Sequence, residues 1–162
     1  MTRTILAQPL TALAFAPFGE VLDASGPPDR LINAGNCGRW HDRARLDFAD
    51  ARAGISIFKS ESFTLPYRLP LVERHPEGSQ AFLPMTDDPF LVVVAADHNG
   101  TPGMPLAFIT NGQQAINIHR NVWHGVLTPL SGPGLFAVVD RIGPTRNLEE
   151  FRFPEPFMVT SP

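Results

Sequence analysis

The chain has 162 residues, 43% of them hydrophobic, and a net charge of -3 from 13 basic and 16 acidic residues. No basic run occurs, which argues against a nucleic-acid or anionic-membrane partner, and the longest apolar stretch, Phe90–Ala96, is far shorter than the ~20 residues of a membrane helix. One cysteine, Cys37, cannot form an internal disulfide and reads as inert; this suits a reducing compartment, and Met1–Leu10 carries no apolar signal core, so a cytoplasmic protein is expected.

The length fits a single domain spanning 1–162. Its 17 prolines, roughly twice ordinary usage, are scattered, and each removes a backbone donor, so long helices are disfavoured. Pro9–Val21 reads as a short helix carrying Leu10, Leu13 and Phe18, stopped at Gly19 and turning into a strand. Asp23–Asp29 is a loop rich in Gly, Pro and Asp. Gly54–Lys59 alternates Ile55, Ile57 and Lys59 against Ser56 and Phe58. Further β-type runs follow at Gln80–Met85, Phe90–Ala95, Leu106–Thr110, Ala115–His119, His124–Leu127 and Gly134–Ile142. Turn residues separate most of them, and Asn111-Gly112 predicts a hairpin between its flanking runs. Many short strands with one short helix predict an all-β sandwich or small barrel.

Polar residues interrupt these strands in order. In Glu73-Arg74-His75 the first and third side chains share a face and Arg74 points away. Gln80 opens the strand five residues after His75, with Gly78 between them allowing a close approach. The second segment, Asn117–His124, carries His119, Arg120, Asn121, Trp123 and His124. Trp123 reads as a wall residue and His41-Asp42 as structural. Asp140 is an odd acid in an apolar strand, expected to pair with a cation. Lys59 continues the face of Ile55 and Ile57, where it either reaches out at a rim or serves an anion.

The two polar segments resemble the signature segments of the cupin β-barrels, in which two histidines and a glutamate are followed by a fourth ligand histidine. Glu73, His75, Gln80 and His124 stand at those four positions, with Glu73 in place of a His and Gln80 in place of a Glu. The ordered strings Phe15–Val21, Trp40–Asp42, Glu73–Pro76, Gln80–Met85, Phe108–Gly112, His119–His124 and Val139–Arg141 are similar to those of the ureidoglycolate lyases. That resemblance implies a cupin-like antiparallel barrel (a double-stranded β-helix), a homodimer, and cleavage of (S)-ureidoglycolate to glyoxylate and urea in purine catabolism. It implies catalytic roles for Glu73, His75, His124 and Lys59, and substrate contacts from Gln80, His119, Arg120, Asn121, Asp140 and Arg141. A divalent metal such as nickel would sit on Glu73, His75, Gln80 and His124; no organic cofactor is expected.

The chemistry asks little of the protein. Ureidoglycolate is a hemiaminal, and its cleavage needs a base for the hydroxyl proton, an acid for the departing nitrogen and a cation for the carboxylate. Lys59, Arg74, Arg120 and Arg141 are the cation candidates, and alternation makes Lys59 the inward one of the Lys59–Arg74 pair. An amidohydrolase releasing ammonia and carbon dioxide is the competing enzyme. A non-catalytic cupin that binds a ureide is the competing binding protein.

Overall fold

A computed structural model describes residues 3–162; Met1 and Thr2, the start of the segment read above for a signal, lie outside the described residues. The chain runs through β1 (Arg3–Leu6), β2 (Gln8–Pro9), α1 (Ala12–Phe15), β3 (Gly19–Leu22), β4 (Arg30–Ile32), β5 (Cys37–Arg39) and β6 (Arg52–Lys59). It continues through β7 (Tyr67–Arg74), β8 (Gln80–Pro84), β9 (Phe90–Ala95), β10 (Asp97–His98), β11 (Thr101–Pro102) and β12 (Leu106–Ile109). It closes with β13 (Ala115–Ile118), β14 (Trp123–His124), β15 (Thr128–Pro129), β16 (Leu135–Ile142) and β17 (Glu149–Thr160).

Two sheets face each other to make a nearly closed barrel. The larger has the order β1-β17-β7-β14-β9-β12-β2, with β15 also on β9, and the smaller the order β3-β13-β8-β16-β6. Pairing is antiparallel except at the rims of the larger sheet, where β1–β17 and β12–β2 are parallel. The architecture is the expected cupin-like barrel with one short helix. That helix is a single turn, capped by the Thr11 hydroxyl accepting from the Ala14 N–H at 3.2 Å.

Strand alternation sorts the apolar residues into two layers. Phe82, Phe90, Val92, Val94, Ile116, Ile118, Phe136 and Val138 fill the space between the sheets. On the back of the larger sheet, Val72, Leu91, Val93, Ala95 and Trp123 pack with Phe151, Phe153 and Phe157 of β17. At about 25 cal/mol per Å² of buried apolar surface, these two layers dominate the folding energy. Strand β9 is buried on both faces, which accounts for its continuous apolar run.

Two sequence expectations are corrected here. Asn111-Gly112 is a turn, with Gly112 at φ 87°, but it closes no hairpin. Strand β12 pairs with β9 and β2, whereas β13 pairs with β3 and β8, so the turn carries the chain from one sheet to the other. A side chain at Gly112 would strike the Asp87 carbonyl, which fixes that crossing. The alternation of Gly54–Lys59 is real, but its faces are reversed. Ile55 and Ile57 are 76% and 60% exposed, on the outer face of the smaller sheet, while Ser56 and Phe58 stand opposite Val138 and Phe136 on the inner side. Apolar identity misled because this outer face is uncovered in the monomer.

Candidate active site

Three strands and one turn bring the site together at one end of the barrel interior. Glu73 on β7 pairs directly with His124 on β14. Their outward neighbours fix the facing: Val72 and Trp123 belong to the apolar layer behind the sheet, so Glu73 and His124 turn inward. His75 follows one residue past the end of β7, and its ring centroid lies 5.1 Å from that of His124. Donor atoms of Glu73, His75 and His124 all lie within 4.8 Å of one another. Gln80, buried at the start of β8, reaches across from the smaller sheet. Its Oε1 is 3.0 Å from His75 Nε2, and its amide N–H donates to Asp140 Oδ2 at 3.1 Å. Asp140 is therefore partnered by the amide of Gln80 rather than by a cation.

Backbone carbonyls set both histidine tautomers. A carbonyl oxygen only accepts, so His75 Nδ1–H donates to Asn147 O at 2.7 Å and His124 Nδ1–H donates to Gly125 O at 2.9 Å. Each ring then turns its Nε2 to the interior. That of His124 is buried without a hydrogen-bond partner, and that of His75 faces the Gln80 oxygen. Two acceptors at that separation need a proton or a cation between them. Burial and the nearby His75 charge lower the His124 pKa to about 3, only partly offset by the Gly125 bond, so this ring is neutral at physiological pH. Burial raises the Glu73 pKa; the charge of His75 opposes the rise and the neighbouring Glu150 carboxylate adds to it.

This donor set fits a divalent cation. Two imidazole nitrogens, one carboxylate and an amide oxygen converge, and both rings are held by carbonyls in the tautomer a metal requires. An apolar cavity lined by Phe82, Phe90, Val92, Ile116 and Ile118 leads up to the His124 ring.

The other residues named from the sequence do not join this cluster. His119 lies beyond β13 on the outer side of the smaller sheet, with Nε2 2.6 Å from Glu20 Oε1, and Asn117 donates to the second Glu20 oxygen at 2.8 Å. Arg120 folds back to donate to the Pro76 carbonyl and approaches Asp47 at 3.8 Å. Asn121, at φ 66°, contributes its backbone N–H to the His75 carbonyl at 3.1 Å, so its support of the site is through the main chain. Arg141 is on the outer face of β16, its buried guanidinium between Glu77 and Asp50. Lys59 shares the exposed outer face with Ile55 and Ile57, so β6 does not turn it inward. Arg74 does point away from the interior, as alternation requires: it stacks 4.6 Å over Trp123 and pairs with Asp97 and Glu149.

Two supporting residues had no signal in the sequence. Asn147 acts through its carbonyl on His75 and through its side-chain oxygen, which accepts from the Glu77 N–H at 2.7 Å. Asp97 accepts from Arg74 and from the Trp123 indole N–H, each at 2.8 Å, tying the back of β7 to the back of β14.

A nearly closed β-barrel whose interior carries a Glu, two His and a Gln from the two facing sheets defines a cupin-type enzyme barrel. Residues 2–160 match the family model for ureidoglycolate lyase, and the chain belongs to that family. A ureidoglycolate lyase of Rhodobacter capsulatus is 60% identical over 156 residues, covering 96% of this chain and 97% of the relative. Ureidoglycolate lyases of Mesorhizobium japonicum and of a Chelativorans species are 50% and 49% identical, the first over the full length of both chains and the second over 99% and 98%.

Proposed function

We propose that the protein cleaves (S)-ureidoglycolate into glyoxylate and urea at the Glu73–His75–His124 cluster. One observation carries the site: a water-poor carboxylate stands opposite a histidine that is neutral at physiological pH, with a second histidine in reach of both. Glu73, made more basic by burial, takes the hemiaminal hydroxyl proton. The carbon–oxygen double bond of glyoxylate then forms as the carbon–nitrogen bond breaks, and the bonding pair leaves on the urea nitrogen. His124 does not supply the proton that nitrogen needs, because it carries none on Nε2. His75 does: between Asn147 O and Gln80 Oε1 its protonated ring donates from both nitrogens, and Gln80 is held for that contact by Asp140.

In place of the proton on His75 Nε2, Glu73, His75, His124 and the Gln80 oxygen would hold a divalent cation, which when bound would supply positive charge against the substrate's oxygens.

Among the described residues no helix is long and apolar enough to cross a membrane; the single cysteine supports a reducing, cytoplasmic setting. A homodimer is supported by the exposed Ile55 and Ile57 on the open edge strand β6. The decisive experiment incubates purified protein with racemic ureidoglycolate and assays urea, glyoxylate and ammonia separately. Equimolar urea and glyoxylate from one enantiomer are expected. Ammonia in place of urea would assign an amidohydrolase, and binding without turnover would assign a ureide carrier.

A further inference from the structure

Among the described residues, no lysine or arginine side chain joins the cluster described above to meet an anionic substrate. Arg74 is spent behind the larger sheet, Lys59 and Arg141 lie outside the smaller sheet, and Arg120 is tied to Pro76 and Asp47.

Strand β17 supplies what they do not. Its register places Glu150 opposite Glu73 and Arg152 opposite Leu71. Phe151 and Phe153, on either side of Arg152, both pack into the apolar layer behind the sheet. Alternation therefore turns Glu150 and Arg152 to the face that Glu73 uses. The direct pairing of Glu150 with Glu73 sets that row beside the site. Arg152 stands two residues beyond Glu150, about 7 Å along the strand, a gap an arginine side chain spans. It is exposed and enters no ion pair or side-chain hydrogen bond with any described residue. Arg68 faces the same way but lies beside Met158, past the irregularity between Arg152 and Phe157.

We infer that Arg152 is the carboxylate anchor: its guanidinium, on the open side of the barrel, takes the carboxylate of the substrate and of the glyoxylate product. The inference rests on the lyase reading for its substrate. A planar two-pronged donor matches a carboxylate, and the contact is made equally in ground and transition states. Its removal therefore acts on binding rather than on the chemical step.

The test is a charge series at one position, Arg152→Lys, Arg152→Ala and Arg152→Glu, with each variant's melting curve recorded. KM for ureidoglycolate should rise in that order, about 10-fold for alanine and further for glutamate, with kcat within about 3-fold of wild type. Calorimetric titration with glyoxylate should lose affinity in the same order. A merely structural role would track the melting curves instead of the charge. Unchanged KM and unchanged glyoxylate affinity in Arg152→Ala and Arg152→Glu would overturn the inference while leaving the lyase reading intact. If wild-type protein releases no urea, the lyase reading falls, and the glyoxylate titration alone then decides whether Arg152 anchors a carboxylate.

Discussion

Glu73 and His124 are cross-strand partners in the pairing of β7 with β14, and the pair is inward-facing. Directly opposed residues on an antiparallel ladder have Cβ atoms about 4.5–5.5 Å apart. The separation of the two functional groups is thus set by the backbone ladder. His75, just past the strand, is set by hydrogen bonds to a different segment.

Replacing Glu73 by Gln keeps the shape and removes the base. Urea release should fall by about 10²- to 10⁴-fold in kcat, read by coupled assay on protein whose melting temperature is unchanged or raised. A rate within 3-fold of wild type would remove Glu73 from proton transfer.

The His124 ring links stability to pH. Its folded pKa lies below its unfolded value, so its contribution is present above about pH 6.5 and is lost as pH falls toward about 3. In chelator-treated protein this amounts to about 2 kcal/mol between pH 7 and pH 5. Glu73 works in the opposite direction, since a raised carboxyl pKa loses its contribution as pH rises. The measurement is therefore a difference: urea unfolding of wild type and His124→Gln at both pH values. Equal pH dependence in the two proteins would show that His124 is not held neutral.

Added Ni²⁺, Mn²⁺ or Zn²⁺ should raise the melting temperature of the chelator-treated protein, because a ligand bound only to the folded state stabilises it. Both His75→Ala and His124→Ala should abolish the shift, while His119→Ala, on the outer side of the smaller sheet, should retain it. Identical shifts in all four proteins would place metal binding elsewhere.

Asp97→Asn loosens the contact joining the Arg74 guanidinium to the Trp123 indole behind the strands. Because Arg74 adjoins Glu73 and Trp123 adjoins His124, the two functional groups lose alignment with no atom of the pocket changed. A fall in kcat of about 10-fold is expected, with partial recovery in Asp97→Glu. Unaltered kinetics would confine this contact to folding.

Ile57→Asp puts a charge on the exposed outer face of β6. Sedimentation should change from a dimer in the parent protein to a 17.7 kDa monomer in the variant. Dimers in both would move the interface to another surface.

Much of this was legible in the residue pattern, for a physical reason. The strands of the core announce themselves by period-2 alternation, and the turns by Gly and Asn, because sterics dictate both. Glu73 and His75 could be set on one face by counting along a strand, and the resemblance to the cupin signature segments joined Gln80 and His124 to them. What failed was facing on an uncovered surface. Ile55, Ile57 and Lys59 read as inward because apolar residues usually are, and here that rule fails. Strand β17 escaped notice because Pro154 and Pro156 interrupt its pattern, and with it went Glu150 and Arg152. Asn147 acts on His75 through a main-chain oxygen that any residue possesses, so its identity carried no hint.

The position of β17 has a consequence for how the protein is made. This strand lies between β1 and β7, joining an early segment of the chain to the middle, and the segment just before it provides the carbonyl that orients His75. A ribosome delivers the chain from its N-terminal side, so this side of the pocket is complete only once β17 has been made. Interrupted synthesis would leave a gap beside β7 and an unheld imidazole. A chain without β17 would lack the strand that flanks Glu73 in the sheet.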